Sequence, residues 1–407
     1  MDHFTLEPLA ARHGDCLLLH FGPSDAPGTV LIDGGPSQVW KGSLKPRLRK
    51  LADNRPGGPF AIDLMMVSHI DDDHIRGIVD MTEEWRDTVT DHAVWPFPVR
   101  ELWHNSFERV AGADPTRVTA SLLASFGEPE IPDLDDFEGD HDREATYKIL
   151  ASVGQGAQLR KDAQLLGLPT NSGFDRLVRP GAAGSPFKLG PDLELHVVGP
   201  LAEQLDKLQE EFAKELPPLA SYADDAVPNL SSIVVLARYK GKTVLLTGDA
   251  RGDYILKGLE KAGLLTGGKI HIDVLKMQHH ASERNTADDF FTKVTADHYV
   301  ASASGKFENP DRATFEMITR ARPKGDRYTI HLTYEVAELD TLRAKEHATA
   351  RASAIRRGKP PADAWTDETH SLAAFFAACK ADGHAFTVET PATRASAGID
   401  LLDPVGF

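Results

Sequence analysis

The stretch Ser68-His69-Ile70-Asp71-Asp72-Asp73-His74 contains two imidazoles and three carboxylates within seven residues. It follows an apolar run and precedes a helical pattern, so it lies at a predicted strand-to-helix corner. Because extended residues alternate sides, His69 and Asp71 are expected to leave the strand end on the same side. Asp73 and His74 follow at the turn into the helix. Imidazole nitrogen and carboxylate oxygen are ligands for divalent catalytic cations, so the run predicts a metal site rather than an acidic surface turn with incidental histidines.

The composition is that of a globular chain of 407 residues, 41% hydrophobic and 26% charged, long enough for one large domain or two smaller ones. The formal net charge of −16 disfavours broad non-specific binding to nucleic acid or anionic membranes. Cys16 and Cys379 are too few for a disulfide framework and are predicted to be buried thiols in a reducing compartment. The sequence contains no apolar signal core and no stretch of transmembrane length, so a cytoplasmic location without a membrane partner is expected.

The two halves of the chain share a layout in which predicted strands end in polar residues. A hairpin near the start ends in LIDGG, with Asp33, and a later hairpin ends in LLTGDA, with Asp249. The strand that ends in His69 has a counterpart in an apolar strand that ends before His279 and His280. Two sheet-bearing halves whose strand ends carry Asp and His predict one metal site between two sheets.

Several ordered motifs resemble those of the metallo-β-lactamase superfamily, whose hallmark is H-x-H-x-D-H at a strand end followed by further His and Asp ligands. The first motif here is H-x-D-x-D-H, which is similar to that of the soluble domain of the DNA-uptake protein ComEC and its relatives. The other matches are HGDCLLL, LIDGG, NLSSIVVLARYKGKTVLLTGDA, LKMQHHAS and SASGKFENP. The resemblance covers about 1–80 and 190–335.

The resemblance implies an α/β (α+β) fold of four αββα layers, in which two sheets are sandwiched by helices. It implies one metallo-β-lactamase-like hydrolase domain over 1–335, with a helical or loop insertion at about 90–190. The region 336–407 is then expected to be a C-terminal extension packed on that domain.

The resemblance also implies a set of metal ligands, transferred position by position. These are His69 and Asp71 for a first metal site, Asp73 and His74 for a second, Asp249 as the bridge, and His279 or His280 as the final ligand. Of the last two, His279 is favoured because it directly follows the strand.

Four positions depart from the family pattern. Asp71 and Asn229 stand where most or many members have histidine ligands. Asn309 stands where the relatives have histidine before proline, and Arg76 replaces a glycine. Because oxygen ligands are harder than imidazole, the first site is expected to be weaker and to prefer Mn²⁺ over Zn²⁺. The expected cofactor is therefore one or two divalent metal ions, Zn²⁺ or Mn²⁺.

The residues around the implied ligands carry further expectations. Asp73 and Asp249 are predicted to be catalytic, in a centre where a divalent ion would make hydroxide from water at neutral pH. Asp33 is expected to accept a hydrogen bond from a ligand histidine, with an ordinary turn aspartate as the alternative. The residues expected to line the pocket or contact substrate are Asn229, Ser232 and His104. For the histidine in that set, a structural role is the alternative.

Three functions fit these expectations. The first is a metal-dependent phosphodiesterase or nuclease, favoured by the ComEC-like motifs, the oxygen-rich metal site and the basic stretch 343–359. The alternative interpretation of that stretch is a solvated helix face. The second is a hydrolase of a small ester, lactone or phosphoester, favoured by the net charge of −16. The third is a non-catalytic binding or regulatory protein with a degenerate metal site. The expected partner is a phosphoester or small-molecule substrate, with nucleic acid as a possible one, and the sequence predicts no oligomeric state.

Overall fold

The computed structural model describes residues 1–55, 58–106, 141–181, 186–206 and 227–406, excepting the side chains of 141–151 and 227–228. No helix in these ranges is long and apolar enough to cross a lipid bilayer. Cys16 and Cys379 are both buried and free, as the sequence predicts.

The strands of the described ranges form two sheets. They are β1 (Asp2–Pro8), β2 (Leu17–Pro23), β3 (Gly28–Ile32), β4 (Leu64–Val67), β5 (Leu102–His104), β6 (Phe187–Leu189), β7 (Leu193–Gly199), β8 (Val234–Tyr239), β9 (Lys242–Leu246), β10 (Ile270–Lys276), β11 (Val294–Ala301), β12 (Thr329–Leu332), β13 (Thr387–Glu389) and β14 (Ile399–Asp400). The first sheet has six strands in the order β14-β1-β2-β3-β4-β5. The second has eight, in the order β13-β12-β11-β10-β9-β8-β7-β6.

Helices flank both sheets. Those in the described ranges are α1 (Lys45–Asn54), α2 (Asp72–Thr90), α3 (His141–Leu165), α4 (Gly252–Lys261), α5 (Phe290–Lys293), α6 (Arg312–Ala321), α7 (Val336–Arg356), α8 (Asp367–His370) and α9 (Leu372–Ala381). Helix α2 buries Ile75, Ile78 and Val79, whose spacing of three and four residues places them on one face. Asp72 and Asp73 lie in its first turn, where the helix dipole favours negative charge.

The two sheets pack face to face through a buried apolar layer. Leu17 and Leu19 of β2 and Met66 of β4 belong to one cluster with Val235 of β8 and Val244 of β9. Because side chains alternate along a strand, the intervening residues of the same strands point to the outer face of their sheet.

The outer faces of the two sheets are covered by helices. On the first sheet, Leu18 and Met65 pack with Leu48 of α1, Ile78 of α2 and Leu159 of α3. The second sheet packs in the same way against α4, α6, α7 and α9. The molecule therefore has four layers in the order αββα, and the predicted fold class is confirmed.

The predicted insertion and the predicted C-terminal extension both contribute strands to the sheets. Within 90–190, β5 pairs in parallel with β4 and β6 pairs with β7. Parts of that segment, 107–140 and 182–185, lie outside the described residues. Within 336–407, β13 pairs with β12 and β14 pairs with β1. The domain boundaries given above stay a prediction.

Candidate metal centre

Ends of strands from both sheets meet at one place. Ser68 follows β4, and its carbonyl accepts a hydrogen bond from the Ile233 backbone N–H, ahead of β8, at 2.8 Å. Gly248 follows β9 with a φ of +50°, and a Cβ at this position would lie 2.9 Å from the Ser68 Cβ. Any side chain there would push the two strand ends apart. Glycine in LLTGDA therefore allows Asp249 to lie beside the corner 69–74.

Four buried side chains at this junction offer ligand atoms that all lie within 4.8 Å of one another. They are Asp15, His74, Asp249 and His280. They come from the loop before β2, the first turn of α2, the loop after β9 and the loop after β10. This group could hold a metal ion.

Asp249 lies in the middle of the group. Its Oδ1 is 3.2 Å from His74 Nε2, and its Oδ2 is 3.5 Å from His280 Nε2. Asp73 approaches the same two nitrogens, with Oδ2 3.3 Å from His280 Nε2 and Oδ1 3.9 Å from His74 Nε2. Two imidazole nitrogens and two carboxylates thus converge on one small space.

Hydrogen bonds on the far side of each ring fix its tautomer. His74 Nδ1 donates to Asp33 Oδ2 and His280 Nδ1 donates to the Ser302 carbonyl, each at 2.9 Å. Because a carboxylate and a carbonyl only accept, the proton of each neutral ring lies on Nδ1, and Nε2 carries a lone pair. The two Nε2 atoms are 3.3 Å apart. A divalent cation between these lone pairs and the carboxylates would satisfy both, so the donor set fits a metal.

The electrostatics of the group point the same way. Burial opposes a charge on His74, but the surrounding carboxylates, Asp249 foremost, raise its pKa well above the usual value. The same balance raises the pKa of His280. Burial would raise the pKa of Asp249, but the neighbouring imidazoles, His74 foremost, hold it well below its usual value. The carboxylates can therefore be neutralised in two alternative ways: by protonated imidazoles, or by a cation bound to the neutral imidazoles.

A second set of polar groups lies on the other side of Asp249. His69 Nε2 is 3.8 Å from Asp249 Oδ2 and 3.5 Å from Asp71 Oδ2. His279 Nε2 is 3.6 Å from Asp249 Oδ2, and its Nδ1 is 3.4 Å from the amide nitrogen of Asn229. The structure thus brings His69, which was implied for the first metal site, and His279 to the carboxylate that was implied as the bridge, at longer distances than those of His74 and His280.

The two adjacent histidines both approach Oδ2 of Asp249. His279 and His280 have φ values of 45° and 54°, so both have left-handed backbone conformations. This turn brings the Nε2 atoms of successive rings to 3.6 and 3.5 Å from Asp249 Oδ2. The preference for His279 as the final ligand depended on its position directly after the strand. The geometry favours His280 instead, because His280 is the histidine that belongs to the buried group.

Asp33 and Ser232 lie next to the group. Asp33 accepts hydrogen bonds from the Ser68 N–H and from the Ser68 hydroxyl, each at 2.7 Å, in addition to the bond from His74. The expected contact between Asp33 and a histidine of the centre is thus present. Ser232 is buried, and its backbone N–H donates to the Asn229 carbonyl at 3.1 Å.

His104 lies one strand away from the group. It ends β5 opposite Val67 of β4, and the Asn171 side chain binds both its N–H and its carbonyl, each at 2.9 Å. A Cβ at Gly156 of α3 would lie 3.8 Å from His104 Nε2. The ring therefore lies beside α3, and its contact with substrate stays a prediction.

Sequence reasoning did not single out Asp15 or Lys276 as members of this centre. A Cβ at Gly14 would lie 1.8 Å from the Asp73 carbonyl oxygen, so glycine allows the Asp15 N–H to donate to that carbonyl at 3.1 Å. Lys276 interrupts the otherwise apolar run 274–277. A charged residue at an otherwise apolar strand end is the signal that could have identified each of them.

Comparisons with known proteins supply no family name. The chain matches no protein-family profile, and no curated protein matches it significantly. The description of the centre therefore depends on the distances and contacts within this structure.

Proposed function

We propose that this protein is a metal-dependent hydrolase of the metallo-β-lactamase superfamily and that its substrates are phosphodiesters, nucleic acid among them. The convergence of two imidazole Nε2 atoms with the carboxylates of Asp73 and Asp249 carries this assignment. The H-x-D-x-D-H resemblance and the αββα layering support it.

Each residue of the group would have a defined task. His74 and His280 would bind a divalent ion through Nε2, and Asp73 and Asp249 would be its carboxylate ligands. A bound divalent ion supplies Lewis acidity to a phosphoryl oxygen and lowers the pKa of water to about 7. Asp33 would keep His74 in the tautomer whose Nε2 faces the ion. Asp73, whose side chain is 22% exposed, could accept a proton and release it to solvent.

Substrate is expected to approach from the side of Asp71 and His279. Their side chains are 27% and 28% exposed, whereas those of His74 and His280 are 0% and 3% exposed. This partial exposure makes the side of Asp71 and His279 the expected side of substrate approach.

A small phosphoester, ester or lactone is the second candidate substrate. The net charge of −16 opposes binding of a phosphate-rich polymer. Within the basic stretch 343–359, Arg343 is buried and bonds to the Glu308 carbonyl, the His370 carbonyl and the Asp340 carboxylate. This arginine is engaged inside the fold, which weakens the case for a continuous phosphate-binding strip.

The test is a substrate panel on protein stripped with chelator and reloaded with Mn²⁺ or Zn²⁺. The panel contains bis-p-nitrophenyl phosphate, single-stranded DNA, duplex DNA and a set of lactones. We expect metal-dependent cleavage of a phosphodiester, reduced by at least about 100-fold in Asp73→Ala because that variant loses a ligand and proton acceptor. Asp72→Ala is the matched control, since the neighbouring Asp72 carboxylate accepts a hydrogen bond from Gln155 outside the group, at 2.6 Å.

Two outcomes would overturn the assignment to phosphodiesters. Cleavage of lactones alone would favour the small-ester hydrolase. Full metal loading with no turnover of any substrate would favour a binding or regulatory protein, the alternative that the oxygen ligands Asp71 and Asn229 keep open.

A further inference from the structure

The ion pair between Lys276 and Asp15 is buried directly behind the metal-ligating group. Each side chain is 1% exposed, and Lys276 Nζ contacts Asp15 Oδ2. The same ammonium donates to the Gly248 carbonyl at 3.3 Å and lies 4.0 Å from Asp249 Oδ1. A lysine is almost never fully buried without a partner, and burying an ion pair is costly, so this pair needs a physical reason.

Asp15 faces the opposite side of the rings from the space where the ligands converge. Asp15 Oδ1 is 3.4 Å from His280 Nδ1, and Asp15 Oδ2 is 3.8 Å from His74 Nδ1. Asp73 and Asp249, by contrast, approach Nε2 of both rings. A cation bound by the two Nε2 atoms would therefore have the imidazoles between itself and Asp15. Proximity places Asp15 in the group, but its direction does not suit a ligand.

Asp15 is nevertheless paired with a cation, because Lys276 Nζ contacts its carboxylate and both side chains are buried. Without Lys276, the Asp15 carboxylate would be buried within 4.8 Å of a ligand atom of Asp249 and would lack its lysine partner.

We propose that Lys276 is a built-in counter-cation of the centre and that Asp15 is a positioning residue rather than a metal ligand. The ammonium neutralises Asp15 and partly offsets Asp249, so that the buried carboxylates are held together with or without a metal ion. Asp15 in turn favours the His280 tautomer whose Nε2 faces the ion. No substrate takes part in this role, so it holds whichever reaction the centre catalyses.

Lys276→Met removes the ammonium and keeps an apolar side chain of similar length. In chelator, we expect its unfolding temperature to fall by about 10 °C, because Asp15 is left as an unpaired buried charge. Saturating Zn²⁺ should restore most of that loss by supplying a new cation. In the double variant Lys276→Met/Asp15→Asn, both charges are absent, and the unfolding temperature in chelator should return to within about 5 °C of wild type.

Lys242→Met is the matched control. Lys242 lies on the adjacent strand β9 and pairs with Asp273 at 2.7 Å, but it is 39% exposed. Because an exposed pair contributes little, its removal should change the unfolding temperature by no more than about 2 °C, with or without Zn²⁺.

Zn²⁺ affinity, measured by competition with a chromophoric chelator, separates a positioning role from ligation. Asp15→Asn alone should weaken binding by about 10- to 100-fold, because the unpaired Lys276 ammonium repels the ion, while His280 keeps its outer hydrogen bond to the Ser302 carbonyl. The double variant should bind Zn²⁺ within about tenfold of wild type, because its ligands are intact.

Two results would overturn the proposal. The first is a double variant that loses Zn²⁺ as completely as Asp249→Ala, which would make Asp15 a ligand. The second is a Lys276→Met protein as stable as wild type in chelator. If Lys276→Met alone does not fold in chelator, folding of the double variant under the same conditions supports the charge-pairing role, and failure of both contradicts it.

Discussion

The two sides of Asp249 differ in how completely their imidazoles are held. On the buried side, the Nδ1 atoms of His74 and His280 each bond to an oxygen acceptor at 2.9 Å. On the other side, which we call the open side because Asp71 and His279 are partly exposed there although His69 is buried, His69 Nδ1 is 3.0 Å from the Ser68 hydroxyl, and His279 Nδ1 is 3.4 Å from an amide nitrogen. Outer hydrogen bonds of this kind orient a ligand and raise its basicity. We therefore expect the buried side to bind a metal ion more strongly than the open side.

This difference has a consequence for metal loading. We expect the open side to be the weaker ligand set, because the resemblance implies that Asp71 and Asn229 stand where imidazoles bind the metal in the superfamily. We expect the first ion to bind on the buried side and a second ion to bind more weakly next to it. A single tightly bound ion per chain is the expected state at limiting metal.

The largest effect is expected from Asp249→Ala, since this residue contacts imidazoles on both sides. Its removal should weaken Zn²⁺ binding by more than the roughly 100-fold typical of an outer partner. Metal analysis by mass spectrometry after gel filtration measures this. Asp273→Ala, on β10 and paired with Lys242, is the control that should retain its metal. Equal metal content in wild type and Asp249→Ala would contradict the bridging role.

The next largest effect should separate two neighbouring residues. His280→Ala is expected to reduce the affinity for the first Zn²⁺ strongly, and His279→Ala should reduce it by less than about tenfold. His279→Ala should instead lower the affinity for a second ion. Isothermal titration of the stripped protein resolves the two steps. The reverse order of effects would place the first ion on the open side.

A smaller effect is expected from Asp33→Asn, which weakens the outer hydrogen bond to His74. The first Zn²⁺ should bind about 10- to 100-fold more weakly, while affinity for the second ion stays within a few-fold. Asp63→Asn is a matched control because Asp63 also accepts a backbone N–H, that of Thr29, at 2.8 Å, away from the centre. Similar losses at both ions would show a general structural defect instead.

The smallest effect is a dependence of stability on pH. The carboxylates raise the pKa of His74 and His280 above the usual 6.5, against the effect of burial. In chelator, the stability from these protonated rings is fully present below about pH 6.5 and is lost as pH rises through the raised pKa values. Zn²⁺ binds the neutral rings, so its stabilising effect should grow with pH.

Thermal unfolding between pH 6 and pH 9, with chelator and with saturating Zn²⁺, measures this dependence as a shift of a few degrees. In Asp249→Ala the slope in chelator should flatten, because the carboxylate that most raises the pKa of both histidines is gone. An increase in the stability of the stripped wild-type protein with pH would contradict this.

The family resemblance of the ordered motifs predicted the four-layer fold, and the apolar run before His69 predicted the strand-to-helix corner 69–74. The strand ends that carry Asp or His are where the structure brings these side chains together. The structure adds what spacing does not encode. The left-handed backbone conformation of His279 and His280 sets how the two rings are oriented toward Asp249. The amino-acid sequence does not specify these φ angles.

Asp15 and Lys276 show a second limit of prediction from the sequence. Each is one charged residue next to an apolar strand, which by sequence alone is equally compatible with a surface position. Their partnership depends on β10 of one sheet facing the start of β2 in the other, a contact between residues more than 250 positions apart. Pairing across two sheets follows from the packing of the layers and not from local pattern.

The position of the first metal ion tests the central claim most directly. A crystal grown with one equivalent of Zn²⁺ per chain would locate the ion by anomalous scattering. We predict one peak at about 2.0–2.2 Å from Nε2 of His74 and of His280, with carboxylate oxygens of Asp73 and Asp249 completing the coordination. A peak among His69, Asp71 and His279, or no ion at this junction of the two sheets, would contradict it.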